Sequence, residues 1–356
     1  MSKLRIVQWS TGGVGKIALR AVLQRPELEL VGAWTQSEEK IGRDAGALTG
    51  GEVVGIAATD DSDALLALEP DCVIYAASGE SRPRECADDF IEMLSRGINV
   101  VTTSIPGLVH PSGFDPDVVG RLERACRDGG ASLYASGIEP GFAADHLVLT
   151  LATLSNRIDT VRTQEIFTYG AYPVAFTMFE VFGFGKPLEH RCLMELPGVQ
   201  ASAWGPPVRM VAAHLGAADV EIRETYEKEA TPRTLDVAAG TIEAGTVGAV
   251  RFETIGVIDG REAIVIEHVN RMADDLAPHW PTAARDGTYR ILLEGDPSLQ
   301  CDLTLGSPET FSEHGMVATT MRIVNAVPAV CAAAPGIVTA TDLPLTLPPE
   351  PFRRGP

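Results

Sequence analysis

The stretch Ser10-Thr11-Gly12-Gly13-Val14-Gly15 follows an apolar run, Leu4–Val7, and leads directly into a helical pattern. Its spacing matches a Gly-x-Gly-x-x-Gly dinucleotide fingerprint, with Gly12 and Gly15 as the second and third glycines and Ser10 in place of the first. A missing side chain at Gly12 lets the backbone approach a pyrophosphate, and at Gly15 it lets helix and strand pack closely. The amides that open the helix supply an anion site. The same turn also suits an ordinary strand-to-helix link. Its place after the first strand, with further βα units behind it, favours cofactor binding.

Other polar loops recur at the carboxyl ends of parallel strands, where ligands bind in such folds. Past the second strand, Trp34-Thr35-Gln36-Ser37 has no acid until Glu38, and Lys40 and Arg43 come close behind. A hydroxyl with two cations suits a 2′-phosphate, so Ser37, Lys40 and Arg43 point to NADP; NAD and a merely solvated charge cluster stay open. Ser78 and Gly79 end the Cys72–Ala76 run, and Thr102 and Thr103 end Asn99–Thr103. Ser136-Gly137-Ile138-Glu139-Pro140-Gly141-Phe142 follows the last parallel strand, with a helix expected from about Gly141. Gly137 and Pro140 make that loop tight and pre-shaped.

Hydride transfer to or from a C=O or C=N group needs a proton donor or an ammonium stabiliser. Glu139 is the first candidate, because burial in a cofactor-facing loop would raise its pKa; a carboxylate there also complements a helix N-terminus. His110, in Leu108-Val109-His110-Pro111, is a loop histidine able to titrate near neutrality. Glu165 and Tyr169 belong to a strand expected to line the pocket, and His268 and Asn270 to a strand with a free face. Core tyrosine and sheet-surface histidine are the alternative readings. Phe176, Phe179, Phe182 and Phe184 have near-helical spacing and, like His279-Trp280, suit either a core or an apolar pocket wall.

The elements that must hold these residues follow from periodicity. Short apolar runs alternate with helical patterns up to about residue 155, predicting strands at Leu4–Val7, Leu30–Trp34, Cys72–Ala76, Val100–Thr103 and Ser132–Ala135. Helices are predicted at Val14–Leu23, Arg84–Ser95 and Asp115–Arg127, the last with an Asp115-Pro116 start and a Gly129-Gly130 stop. Beyond this the rhythm becomes antiparallel, with Val250–Ile258 and Ala263–Val269 around Asp259-Gly260, and Thr288–Leu293 and Leu299–Leu305 around Gly295–Ser298. The expectation is an α/β fold, with a Rossmann-type parallel-sheet domain over 1–150 and an α+β domain with an open, largely antiparallel sheet over 151–310. One helical stretch, Phe311–Ala333, and a strap, Leu343–Pro356, are expected to pack back on the first domain.

With 356 residues, 29 basic against 48 acidic side chains and a net charge of −19, the chain repels phosphate backbones and anionic lipid. Nucleic-acid and membrane partners are therefore not expected. The six cysteines are scattered, with no Cys-x-x-Cys, so no metal is expected and reduced thiols in a cytoplasmic protein are.

Taken in order, Ser10–Gly15, Ile41–Gly46, Asn99–Thr103 and Gly137–Phe142 resemble the dihydrodipicolinate reductase-like superfamily. Within it they are similar to the branch of 2,4-diaminopentanoate dehydrogenase and the native amine dehydrogenases, as is the run from Asn325-Ala326-Val327-Pro328 through Ala334–Ile337 to Asp342–Leu345. The resemblance implies bound NAD(P), an oxidoreductase acting on a small carbonyl, imine or amine compound, and usually a homodimer built through the second domain. Reductases of the superfamily carry a His-His-x-x-x-Lys stretch, whereas none of the seven histidines here adjoins another, so dihydrodipicolinate reduction is not expected. Amine dehydrogenases of the branch tend to place a carboxylate just after the Val-Val-Thr-Thr strand, where this chain has Ser104-Ile105-Pro106. Glu139 stands where relatives more often carry Asn. A non-catalytic dinucleotide-binding paralogue or sensor and a hydroxyl-oxidising dehydrogenase are the competing readings.

Overall fold

The computed structural model describes residues 2–79, 82–217, 219–307 and 310–349, so the last part of the expected strap, 350–356, lies outside the described residues. The chain divides into two compact units, residues 1–141 with 316–356, and residues 142–315. The sequence suggests divisions near 150 and 310.

The first unit alternates β1 (Leu4–Trp9), α1 (Gly13–Gln24), β2 (Leu28–Trp34), α2 (Ala45–Leu48), β3 (Ala58–Thr59), α3 (Ser62–Leu66), β4 (Cys72–Tyr75), α4 (Pro83–Ser95), β5 (Asn99–Thr102), α5 (Pro116–Gly129) and β6 (Ser132–Ala135). The strands lie in the order β6-β5-β4-β1-β2-β3, all parallel. Successive strand residues point to opposite faces, so β1 splits between two cores. Ile6 packs with Ala18, Leu19 and Val22 of α1, while Val7 packs with Cys86 and Phe90 of α4. Each such fully buried apolar side chain contributes about 1.5–3 kcal/mol. Asp115 caps α5 by accepting from the amides of Asp117 and Val118, and Gly130 ends it at φ 71°, as the sequence predicts.

The second unit holds α6 (His146–Ala152), β7 (Arg157–Thr168), α7 (Val199–His214), β8 (Glu221–Ala230), a small hairpin of β9 (Leu235–Val237) and β10 (Gly240–Ile242), β11 (Val247–Ile258), β12 (Arg261–Arg271), β13 (Thr288–Asp296) and β14 (Leu299–Thr304). Its main sheet runs β14-β13-β7-β12-β11-β8, antiparallel except for β7 with β12. Asp259 and Gly260 take φ 52° and 74°, the two left-handed residues of a tight hairpin turn. The fold class is thus the one expected. The helix foreseen at Gly141 begins instead at His146, capped by Asp145. The sequence reading contains no α7, because Pro206-Pro207 breaks a helical pattern; burial against Val161, Ile264 and Ile291 outweighs the amide bonds the prolines cannot make.

α8 (Phe311–Val324) carries the chain back into the first unit, followed by α9 (Val327–Cys331) and β15 (Gly336–Val338). The single helix expected over Phe311–Ala333 is therefore two. Pro328 has no amide to continue a helix and sits in the first turn of a new one. β15, unforeseen, pairs in parallel with β6. No helix among the described residues is long and apolar enough to cross a membrane.

Candidate active site

In the first unit the glycine turn has the steric logic its spacing implies. A Cβ on Gly15 would sit 2.2 Å from the Ser10 carbonyl oxygen, so only glycine lets α1 pack against the turn. A Cβ on Gly12 would meet nothing nearer than 3.8 Å, which leaves space beside the backbone for a ligand. Ser10 holds φ 81°, the left-handed conformation that the fingerprint's missing first glycine would adopt with less strain. Gln8, buried and not among the sequence candidates, steadies the turn by donating to the Ser10 carbonyl at 3.0 Å. Gly12 caps α1 with no side-chain hydrogen bond, and the first turn, Gly13, Val14 and Gly15, contains no acid. Those amides suit a pyrophosphate, and the residues fit a dinucleotide.

Around the turn, Thr11 and Thr35 hydroxyls lie 3.2 Å apart and the Lys40 ammonium donates to the Thr11 carbonyl at 3.3 Å. The Ser37 amide donates to the Thr35 hydroxyl at 3.3 Å. Lys40 thus joins the glycine turn to the loop after β2, whereas Arg43 is exposed and its backbone pairs with Ala58. A Cβ on Gly79 would lie 1.7 Å from the Ser104 carbonyl oxygen, so the loops after β4 and β5 pack backbone to backbone. Ser78 is the neighbouring residue on the β4 side. Ser104, where the branch tends to carry a carboxylate, is buried; its hydroxyl donates to the Ala77 carbonyl and its amide donates to the Thr102 hydroxyl oxygen at 2.9 Å. Thr102 is fully buried and Thr103 half-buried.

The Gly137–Gly141 loop is equally well braced. Ser136 donates to the Gly141 carbonyl at 3.1 Å and the Ile138 amide to the Thr319 hydroxyl at 3.3 Å. Glu139 is half-buried there, next to the buried Pro140. His110 is half-buried after a short turn and shares a 2.7 Å hydrogen bond with Ser112.

In the second unit Glu165 is buried on β7, with Tyr169 just past the strand end. The Tyr169 hydroxyl donates to its Oε1 at 2.8 Å, the Asn270 amide to the same oxygen at 3.1 Å, and Tyr289 also hydrogen-bonds to it. Burial pushes the Glu165 carboxyl up to about 6, despite those donors pulling the other way. Tyr169, also buried beside that carboxylate, is pushed well above its ordinary range and stays a proton-bearing donor. Asn270 is fully buried, and its Oδ1 accepts no hydrogen bond among the described residues. A carboxylate and an unfilled amide oxygen side by side make an acceptor-rich cluster, complementary to N–H groups. Tyr172 and Phe182 pack on Tyr169 with ring centroids 5.6 and 6.2 Å away, giving the cluster aromatic surroundings.

The free-face reading of His268 is corrected, and the aromatic alternatives are resolved. His268 is on the helix-covered face, not a free one, because residues 264, 266 and 268 share a parity that packs against α7. It stacks on Phe252 at 4.4 Å and meets Trp204 at 4.6 Å, and burial pushes it down to about 3, leaving a neutral core ring. His279 is exposed and pairs with Glu229 at 3.0 Å, while Trp280 is core. Phe182 and Phe184 likewise join the core, whereas Phe176 is exposed. Asn270 enters the site through a contact 105 residues distant in sequence from Glu165, which no local pattern signals.

Comparisons with known proteins identify the family and the fold. The family model of the 2,4-diaminopentanoate dehydrogenase C-terminal domain matches residues 142–348. An amine dehydrogenase from Streptomyces virginiae is 38% identical over 346 residues, which cover 95% of this chain and 96% of that protein. The 2,4-diaminopentanoate dehydrogenase of Acetoanaerobium sticklandii is 22% identical over 97% of this chain and 94% of its own. A solved amine dehydrogenase from Mycobacterium smegmatis shares the fold, with a TM-score of 0.73 at 22% identity over 99% of each chain. These relatives speak against a non-catalytic paralogue and against a hydroxyl-oxidising dehydrogenase.

Proposed function

We propose, for a chain that belongs to the family of 2,4-diaminopentanoate dehydrogenase and its amine dehydrogenase relatives and is an NAD(P)-dependent oxidoreductase, that the reaction interconverts a small amine with the corresponding carbonyl compound and ammonia. The observation that carries this reading is the buried hydrogen-bonded cluster of Glu165, Tyr169, Asn270 and Tyr289. The Glu165 carboxyl lies near 6, so at neutral pH it is mostly ionised yet close enough to neutrality to exchange a proton. Ser104 leaves the loop after β5 without the carboxylate usual in the branch, and Glu165 offers one elsewhere.

The Gly12–Gly15 turn holds the dinucleotide through the α1 amides, with Thr11, Ser78, Gly79, Thr102, Thr103, Gly137 and Pro140 shaping the surrounding loops. When bound, the dinucleotide would supply the hydride acceptor for amine oxidation and the hydride donor for the reverse direction. Glu165 takes a proton from the substrate ammonium, freeing the nitrogen lone pair, and returns one when ammonia leaves. Asn270 Oδ1 accepts an N–H and orients the nitrogen, while Tyr169 and Tyr289 hold the carboxylate in place. Glu139 and His110 remain proposed site residues of the first unit with no proton step assigned to them.

Finer features go with this reading. Ser37, Lys40 and Arg43 support NADP as the preferred dinucleotide, and the branch resemblance supports a homodimer. The six free cysteines support a cytoplasmic setting.

The decisive experiment is steady-state amine oxidation and ketone amination by Glu165→Gln. Activity should fall about a hundredfold or more, and the wild-type fall in kcat/KM below about pH 6 should vanish from the variant's profile. Unchanged rates in Glu165→Gln, with a loss in Glu139→Gln instead, would move the proton step to the first unit.

A further inference from the structure

We infer that Arg82, which the sequence pattern does not single out, distinguishes NADP from NAD by binding the 2′-phosphate. This rests on the dinucleotide reading of the Gly12–Gly15 turn. In the sheet, β1 lies between β2 and β4, so the loops after those two strands flank the phosphate turn on either side. With the pyrophosphate on the α1 amides, the adenosine ribose is directed to the end of β2. In NAD-binding relatives of the fold, an acid at this point takes the ribose hydroxyls and repels a phosphate. Here the residues past Trp34 are Thr35, Gln36 and Ser37, none of them charged.

The charge arrives from the other side. Arg82 Nη1 donates to the Gln36 Oε1 at 3.3 Å, joining the loop after β4 to the loop after β2 across 46 residues of sequence. Its guanidinium thereby stands where the acid of an NAD site would otherwise act. Among the described residues no carboxylate comes within 4 Å of it, and its partner Gln36 is neutral, so donors remain for an anion. Asp89 lies near enough to feel the charge, but its carboxylate receives the Tyr75 hydroxyl at 2.6 Å. Glu39 is engaged at 3.4 Å by the Ser37 hydroxyl.

Arg82 is also held in position. It occupies the position just before α4, with its amide donating to the Gly79 carbonyl at 3.2 Å. α4 is anchored by Cys86 and Phe90 in the core that contains Trp9, Trp34 and Tyr75, and the two indoles stack at 5.0 Å and 6° at the ends of β1 and β2. A guanidinium offers paired N–H donors in a plane that matches a phosphate, and Lys40 on the Thr11 carbonyl adds a second cation on the β2 side. Against a net charge of −19, such local donors are what a phosphate requires.

The test is calorimetric binding of NADP⁺, NAD⁺, adenosine 2′,5′-bisphosphate and 5′-AMP to wild type, Arg82→Gln and Arg82→Lys, with the melting temperature of each free protein as the folding control. In wild type NADP⁺ and the bisphosphate should bind more tightly than NAD⁺ and 5′-AMP. Arg82→Gln should weaken the first pair by about tenfold to a hundredfold and leave the second pair within about twofold, with partial recovery in Arg82→Lys. Equal weakening of both pairs, or no change in either, would overturn the assignment, as would a wild-type preference for NAD⁺. If wild type binds none of the four, the dinucleotide reading itself falls.

Discussion

Glu165 on β7 and Glu267 on β12 lie one register step apart on paired strands and face opposite sides of the sheet, with opposite electrostatic fates. Burial pushes Glu165 up to about 6 among hydroxyl and amide donors that offset it only in part. Burial acts on Glu267 too, but Gln164, Arg251 and Arg162 hydrogen-bond to it and hold it below the ordinary carboxylate range. One sheet thus carries a carboxylate prepared to exchange protons and another locked as an ion.

The first consequence is a pH dependence of stability with an inverted sign. The folded pKa of Glu165 is raised, so the folded state binds the proton more tightly than the unfolded chain does. That stabilisation is fully present below about 4.5 and is lost as pH rises through about 6. Between pH 4 and pH 7.5, wild type should lose about 2 kcal/mol of unfolding free energy relative to Glu165→Gln, measured by denaturant unfolding at each pH.

Glu267 behaves in the opposite way. Its lowered pKa contributes stability above the ordinary carboxylate range, lost as pH falls through the folded value. Glu267→Ala also deprives Arg162 and Arg251 of a carboxylate that is only 1% exposed, leaving Glu253 to both and Glu227 to Arg251. Chemical denaturation at pH 7 should register a cost of about 3 kcal/mol, with no such loss in Arg157→Ala, whose pair is exposed.

The two glycines of the turn after β1 should separate folding from the proposed dinucleotide binding. In Gly15→Ala the new Cβ meets the Ser10 carbonyl at 2.2 Å, so the free protein should melt several degrees lower. Gly12→Ala meets nothing within 3.8 Å and should melt like wild type, yet lose most of the thermal shift produced by a saturating dinucleotide. Retention of the full shift would argue against pyrophosphate binding at Gly12.

Asn270 should report on the nitrogen. Replacing it by Leu removes the acceptor that no described group fills, and in the amination direction KM for ammonia should rise about tenfold while KM for the ketone moves little. A common rise in both constants would indicate a distorted pocket.

Much of the positioning was legible locally. Gly12 and Gly15 mark a glycine turn, because at Gly15 a close backbone approach excludes a Cβ. Asp259-Gly260 marks a hairpin because both residues must reach positive φ, and Asp115-Pro116 opens a helix because its side chain serves the orphan amides. Each of these forces acts over a few residues, so spacing alone reveals it.

The remaining features depend on partners far along the chain. Whether His268 faces water or core is decided by the register of β12 against β7 and by α7, itself hidden by Pro206-Pro207. The Asn270 contact with Glu165 and the Arg82 contact with Gln36 exist only once strands distant in sequence lie side by side. A sequence thus determines this protein's turns, caps and alternations, since those energies are local. Only the tertiary structure decides which carboxylate is dry enough to exchange protons and which arginine reaches the second strand's end, because desolvation and long side-chain contacts depend on what the fold brings near.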